Sequence, residues 1–142
     1  MFETGFPIEV PALIVPWHIN EHVLVQLLGK RLRHVTHGYY TTACTALAGL
    51  QIQLGFHFEP RRDGILREFE VFRGVSHDLQ QSYSEFQHHL VRLLGKPATT
   101  GSDGGTGFDS HEWRGVGYRV VHLVKDRFGP EEHVRVQFIA AA

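Results

Sequence analysis

Cysteine is used once in 142 residues, at Cys44, so no internal disulfide can form and nothing points to an oxidising compartment. No window approaches the eighteen apolar residues a membrane helix needs. The start, Met1-Phe2-Glu3-Thr4-Gly5, lacks the basic stretch and apolar stretch of an export signal. Neither sign of charge is in excess. A net charge of −1 and a pI near 6.8 leave no long-range field to concentrate nucleic acid or an anionic membrane. Lysine is scarce, three residues against eleven arginines. These absences predict a soluble cytoplasmic protein that binds neither nucleic acid nor membrane. What is present, 42% hydrophobic residues including ten Phe, suits a single folded domain over residues 1–142.

The tetrapeptide Leu27-Leu28-Gly29-Lys30 returns as Leu93-Leu94-Gly95-Lys96. Its physics is that of a helix end, with Leu entering a core, Gly at C′ and Lys beside the negative pole of the helix dipole. Asn20 is a good N-cap for the first helix, flanked by Ile19 and Leu24 as a hydrophobic staple, with a stripe of Val23, Leu24, Leu27 and Leu28. Asp78 caps the second, with Gln81 as its capping-box partner. There Leu79, Tyr83, Phe86, Leu90 and Leu93 recur at helical spacing until Gly95 and Pro97 end the run.

Alternation marks the strands. Leu50, Ile52, Leu54, Phe56 and Phe58 alternate with polar residues, and after a turn at Pro60–Gly64 a second strand is expected from Ile65 to Arg73, forming a hairpin. Tyr118 to Asp126 reads as a central strand covered on both faces, and Val134 to Ala140 as an alternating one after the turn Phe128-Gly129-Pro130. His111 to Arg114 is a short candidate strand. Pro7, Pro11 and Pro16 make residues 6 to 17 an edge strand or extended arm, and residues 31 to 48 form an ill-defined linker. The fold class is α+β: an antiparallel β-sheet with two main helices packed on one face. A possible internal duplication of an α-β-β(-β) unit spans about 19–74 and 78–140.

A helix ending in Leu-Gly-Lys-Pro, a turn-rich segment and then a strand holding Trp113 resembles the helix-plus-meander unit of the BamE/SmpA-like and β-lactamase-inhibitor-protein-like families. The resemblance covers Asn20 to Lys30 and Asp78 to Phe138. It implies a binding protein, since the inhibitors grip a partner enzyme with a pair of such units. The chain departs from those families in lacking an export signal, a lipobox cysteine and a disulfide pair. In a cytoplasmic setting the resemblance implies an immunity-type protein that neutralises a cognate toxin.

Chemical constellations are weak. The eleven histidines show no zinc-site spacing, and His88 and His89 point about 100° apart on their helix. Cys44 among Thr and Ala residues reads as a small buried hydrophobe rather than a nucleophile. The run Gly101 to Gly107 lacks the Gly-Lys-Ser/Thr ending of a phosphate loop and reads as a connector. Glu68 and Glu70 share a strand face about 7 Å apart, but a catalytic carboxylate pair needs a cleft. No catalytic residue, cofactor or metal is therefore expected. The expected site is the sheet face left open by the helices, carrying Gln51, Gln53, His57, Glu59, Glu68, Glu70, Phe72, Arg135 and Gln137, extended by Trp113. That face predicts a non-enzymatic partner of another protein, a toxin or an enzyme. The competing reading is a small histidine-using metal-binding protein or enzyme, and pairing of an exposed edge strand would give a homodimer.

Overall fold

An asparagine ahead of an apolar repeat starts a helix because its side-chain carbonyl supplies an acceptor that the first turn lacks. The computed structural model describes residues 1–58, 63–73, 78–102 and 105–140. In it Asn20 Oδ1 accepts from the Val23 N–H at 3.0 Å, and α1 runs Glu21–Leu28. Asn20→Ala is expected to cost about 1 kcal/mol, read as a lower urea midpoint at unchanged slope. The second helix, α2 (Leu79–Leu94), starts the same way, with Asp78 accepting from the Gln81 N–H at 3.1 Å. Both helices stop on the repeated glycine, which takes φ of 54° at Gly29 and 82° at Gly95, where a side chain would be strained. The two copies then diverge. The first winds on as a 3₁₀ turn, Gly29–Arg31, whereas Gly95 ends its helix outright.

Among the described residues there are ten strands. β1 (Gly5–Ile8) and β2 (Leu13–Pro16) form a small antiparallel sheet of their own. β3 (Arg33–Thr36), β4 (Tyr39–Ala46), β5 (Leu50–His57) and β6 (Glu68–Phe72) follow α1, and β7 (Thr99–Gly101), β8 (Ser110–Gly115), β9 (Tyr118–Asp126) and β10 (Pro130–Phe138) follow α2. Together these eight make one antiparallel sheet in the order β3-β4-β5-β6-β10-β9-β8-β7. The order is mirrored about the central pair β6 and β10, and each half is a helix followed by a four-strand meander. No helix among the described residues is long and apolar enough to cross a membrane.

Several expectations change. Residues 31 to 48 hold β3 and the eight-residue β4 rather than a linker. Thr, Ala and Cys dominate β4, and their small volumes give no hydrophobic alternation to read. Of the edge strand or extended arm expected over residues 6 to 17, the strand forms, as a two-stranded hairpin whose Phe6, Ile8 and Val15 are buried. The strand expected from Ile65 begins only at Glu68, because the backbone of Leu66 is already taken: it donates to Ile19 and accepts from His18. Part of the expected turn at residues 60–64, like Glu59, lies outside the described residues. On α2 the fully buried line is Ser82, Phe86 and Leu90, so the core-facing stripe is rotated toward a polar residue.

Strand register assigns the two faces. Tyr118, Val120, His122 and Val124 of β9 lie beside Phe138, Val136, Val134 and Glu132 of β10, and Val136 and Val134 lie beside Phe69 and Val71 of β6. Of these, Tyr118, Val120, Val134, Val136, Phe69 and Val71 join Leu54 and Phe56 of β5, Leu24 and Leu28 of α1, Phe86 and Leu90 of α2, and Phe2, Phe6 and Trp17 in one core cluster. β9 is not covered on both sides as expected: Arg119, Val121 and Leu123 on its other face are half-exposed.

Candidate functional site

Alternation on a half-buried sheet puts the polar set of every strand on one side. Gln51, Gln53 and His57 of β5, Glu68, Glu70 and Phe72 of β6, and Arg135 and Gln137 of β10 therefore share the face opposite the core. Glu59 falls outside the described residues. Trp113 does not belong to this face. It sits beside Val120 in the register of β8 and β9, only 2% of it is exposed, and its indole N–H donates to the Gly95 carbonyl at 2.9 Å. An aromatic on a short strand carries no sign of its parity; the register supplies it.

The side chains of the open face are tied together across strands. Glu70 Oε2 accepts from Arg135 Nη1 at 2.7 Å and meets His57 Nε2 at 3.2 Å. His57 stacks on Tyr39 with ring centroids 4.1 Å apart. Gly55 makes room for that stack, since a Cβ there would come within 2.8 Å of the Tyr39 hydroxyl. Burial, with the Glu70 charge adding to it, raises the Tyr39 phenol above its usual range. A second chain runs the other way. Gln137 donates to Glu68 at 3.0 Å and accepts from Arg119 at 2.6 and 2.9 Å, and Arg119 lies 3.5 Å from Glu112, which also pairs with Arg114. The first chain links β4, β5, β6 and β10, and the second links β6, β10, β9 and β8, so the two together reach across six strands. Arg119 and Glu112 were missed as site residues, because their strands lacked the strict alternation that identified β5; His133 lies on a strand read as alternating and was passed over.

Glu68 and Glu70 are held by different partners, so they form no shared-proton pair. Cys44 packs against the core, and burial with the nearby Glu9 pushes its thiol up to about 11, which leaves it protonated at neutral pH.

A second polar cluster lies inside the core. His122 is 0% exposed; its Nε2 meets Glu132 at 2.6 Å and its Nδ1 meets Gln87 at 2.8 Å. Ser82 donates to the other Glu132 oxygen at 2.5 Å, and Tyr83 stacks over the imidazole at 4.4 Å. The Tyr83 hydroxyl donates to the Asp109 carbonyl and meets His111 Nε2. Burial, then Asp109 and Glu132, push that phenol up to about 12. Burial and His122 hold His111 below the ordinary histidine range. Beside this cluster a cleft of about 610 Å³ opens between the start of α2 and the ends of β6 and β10. Its chemistry is that of a clamp. Ser82 gives its proton to a carboxylate and not to histidine, so no Ser–His nucleophile is assembled. Among the described residues no three His, Cys, Asp or Glu side chains converge as a metal site.

The fold and this surface define the class: an α+β protein built on one wide antiparallel sheet with an open polar face. No protein-family model matches the chain, and neither does any curated protein or solved structure.

Proposed function

We propose that this is a non-enzymatic, cytoplasmic bacterial protein that binds another protein through the open face of its sheet, in the manner of an immunity or inhibitor protein. The carrying observation is the pair of cross-strand side-chain chains, Tyr39 to Arg135 and Glu68 to Arg114. Binding costs less when the side chains that make contact are already ordered; hydrogen bonds and ion pairs order His57, Glu70, Arg135, Gln137 and Arg119 in advance, and a ring stack orders Tyr39. Tyrosine and arginine are also the residue types that most often anchor interfaces. The mirrored strand order supports a duplicated α-β-β-β-β unit whose two helices cover the other face, leaving a platform made jointly by both halves. That arrangement matches the paired units implied by the resemblance to the β-lactamase-inhibitor-protein-like family.

Protection assays test this directly. The protein is co-expressed with the product of the adjacent gene, and growth is compared between the native chain and the Arg119→Glu and His57→Ala variants. The expected result is protection by the native chain and at least a tenfold loss in each variant at unchanged melting temperature, since a central anchor contributes about 1.4 kcal/mol or more. Full protection by both variants would remove the open face as the site. Stoichiometric metal in untagged protein, with stability lost on chelation, would instead favour the histidine-using alternative.

A further inference from the structure

On the open face, His133 of β10 stands between Arg135 and the hairpin end. Its Nδ1 lies 2.9 Å from Arg135 Nη2. A guanidinium can only donate, so Nδ1 must accept, and His133 in this contact is the neutral tautomer with its proton on Nε2. That Nε2 is buried and has no hydrogen-bond partner among the described residues, the nearest carboxylate oxygen being Glu131 Oε2 at 3.6 Å. Arg135 reaches the other way to Glu70 Oε2, the same oxygen that meets His57 Nε2. One arginine and one carboxylate are thus bracketed by two histidines that respond oppositely to a proton. Protonated His57 still donates to Glu70, whereas protonated His133 turns its Nδ1 acceptor into a donor facing a donor.

We propose that His133 is a proton-operated latch on Arg135: neutral, it holds the Nη2 side of the guanidinium, and on acidification it lets that side go. Four charged groups face His133, Arg135 and Glu131 from its own strand, Lys125 from β9 and Glu70 from β6. Burial, Arg135 and Lys125 disfavour its charged form, against weaker opposing pulls from Glu131 and Glu70. The sign follows for stability as well. The unfolded chain takes up the proton first, so stability falls as pH drops through about 6.5 and levels off below the folded value. The latch adds regulation to the proposed binding surface and rests on that reading for its consequence: below the latch point the face gains positive charge and an Arg135 held by Glu70 alone, which favours a partner presenting carboxylates. The His133–Arg135 contact itself is independent of that reading.

Imidazole and guanidinium NMR of the full chain tests it without a partner. His133 is expected as the Nε2–H tautomer at pH 7.5, titrating below free histidine, since burial, Arg135 and Lys125 disfavour its charged form. Arg135 guanidinium signals should be restricted at pH 7.5 and averaged at pH 5. Arg135→Gln should raise the His133 midpoint toward the ordinary value, and Lys125→Gln should raise it less. An Nδ1–H tautomer at pH 7.5, or an Arg135 that stays restricted at pH 5, overturns the latch on the native chain alone, whatever the variants do. A confirmed latch beside pH-independent protection from the adjacent gene's product would keep the latch and deny it a role in binding.

Discussion

Glu132→Ala is expected to cost about 3–5 kcal/mol, enough to lower the melting temperature by roughly 10 °C in a chain of this size. The carboxylate receives a hydrogen bond from Ser82 on one oxygen and the Nε2 of fully buried His122 on the other. Removing it takes the Nε2 partner from a fully buried imidazole, and the desolvation penalty of that group then falls on the folded state. Two further variants separate this cause from simple loss of packing. Glu132→Gln keeps an acceptor of the same shape and should lose about a third as much or less, in line with a hydrogen bond to a charged group becoming neutral. The double variant His122→Leu/Glu132→Leu should recover most of the stability lost in Glu132→Ala, because apolar replacement of both partners of a buried pair is often neutral or better. Ser82 can then turn to a carbonyl of its own helix. Urea unfolding of all three reads the outcome. If Glu132→Ala costs under about 1 kcal/mol, the cluster is solvated and is no clamp for α2.

Trp113→Ala should be comparably severe, about 3–5 kcal/mol. The indole is 2% exposed, lies within 6.0 Å of the His111 ring, and donates to the carbonyl of Gly95, the residue that closes α2. The substitution therefore opens a cavity and leaves a helix-end carbonyl without its donor, two separable losses. Trp113→Phe keeps most of the volume and isolates the second, so it should cost about 1 kcal/mol for the hydrogen bond plus a smaller packing loss. Trp17, also buried, remains as a fluorescent reporter of unfolding in both variants. An alanine variant as stable as the native chain would place Trp113 on a surface, as the sequence-based expectation had it. This bond also ties the repeated Leu-Leu-Gly-Lys to the sheet, since the glycine that ends the second copy is the one Trp113 holds.

Both experiments probe residues whose partners are distant or opposite in the fold, and that marks the boundary of what could be read from the chain. Helix limits were legible because a cap acts within three residues: Asn20 reaches Val23, Asp78 reaches Gln81, and glycine ends a helix by its own backbone freedom. β5 was legible because four large apolar residues, with Phe58 just past its end, recur at every second position, which also put Gln51, Gln53 and His57 on one face. β4 was not, because Thr, Ala and Cys are too alike in size and polarity to show a period. The chain alone therefore determined its local signals: the α+β class, two capped helices, and an alternating face rich in Gln, Glu, His and Arg. Only the tertiary structure decided the rest. Strand register turned Trp113 inward, paired His122 with Glu132 across a hairpin, and gave Arg135 both Glu70 and His133 as neighbours. Register depends on which strands meet, and that choice belongs to the whole sheet, where a shift of one residue exchanges the two faces.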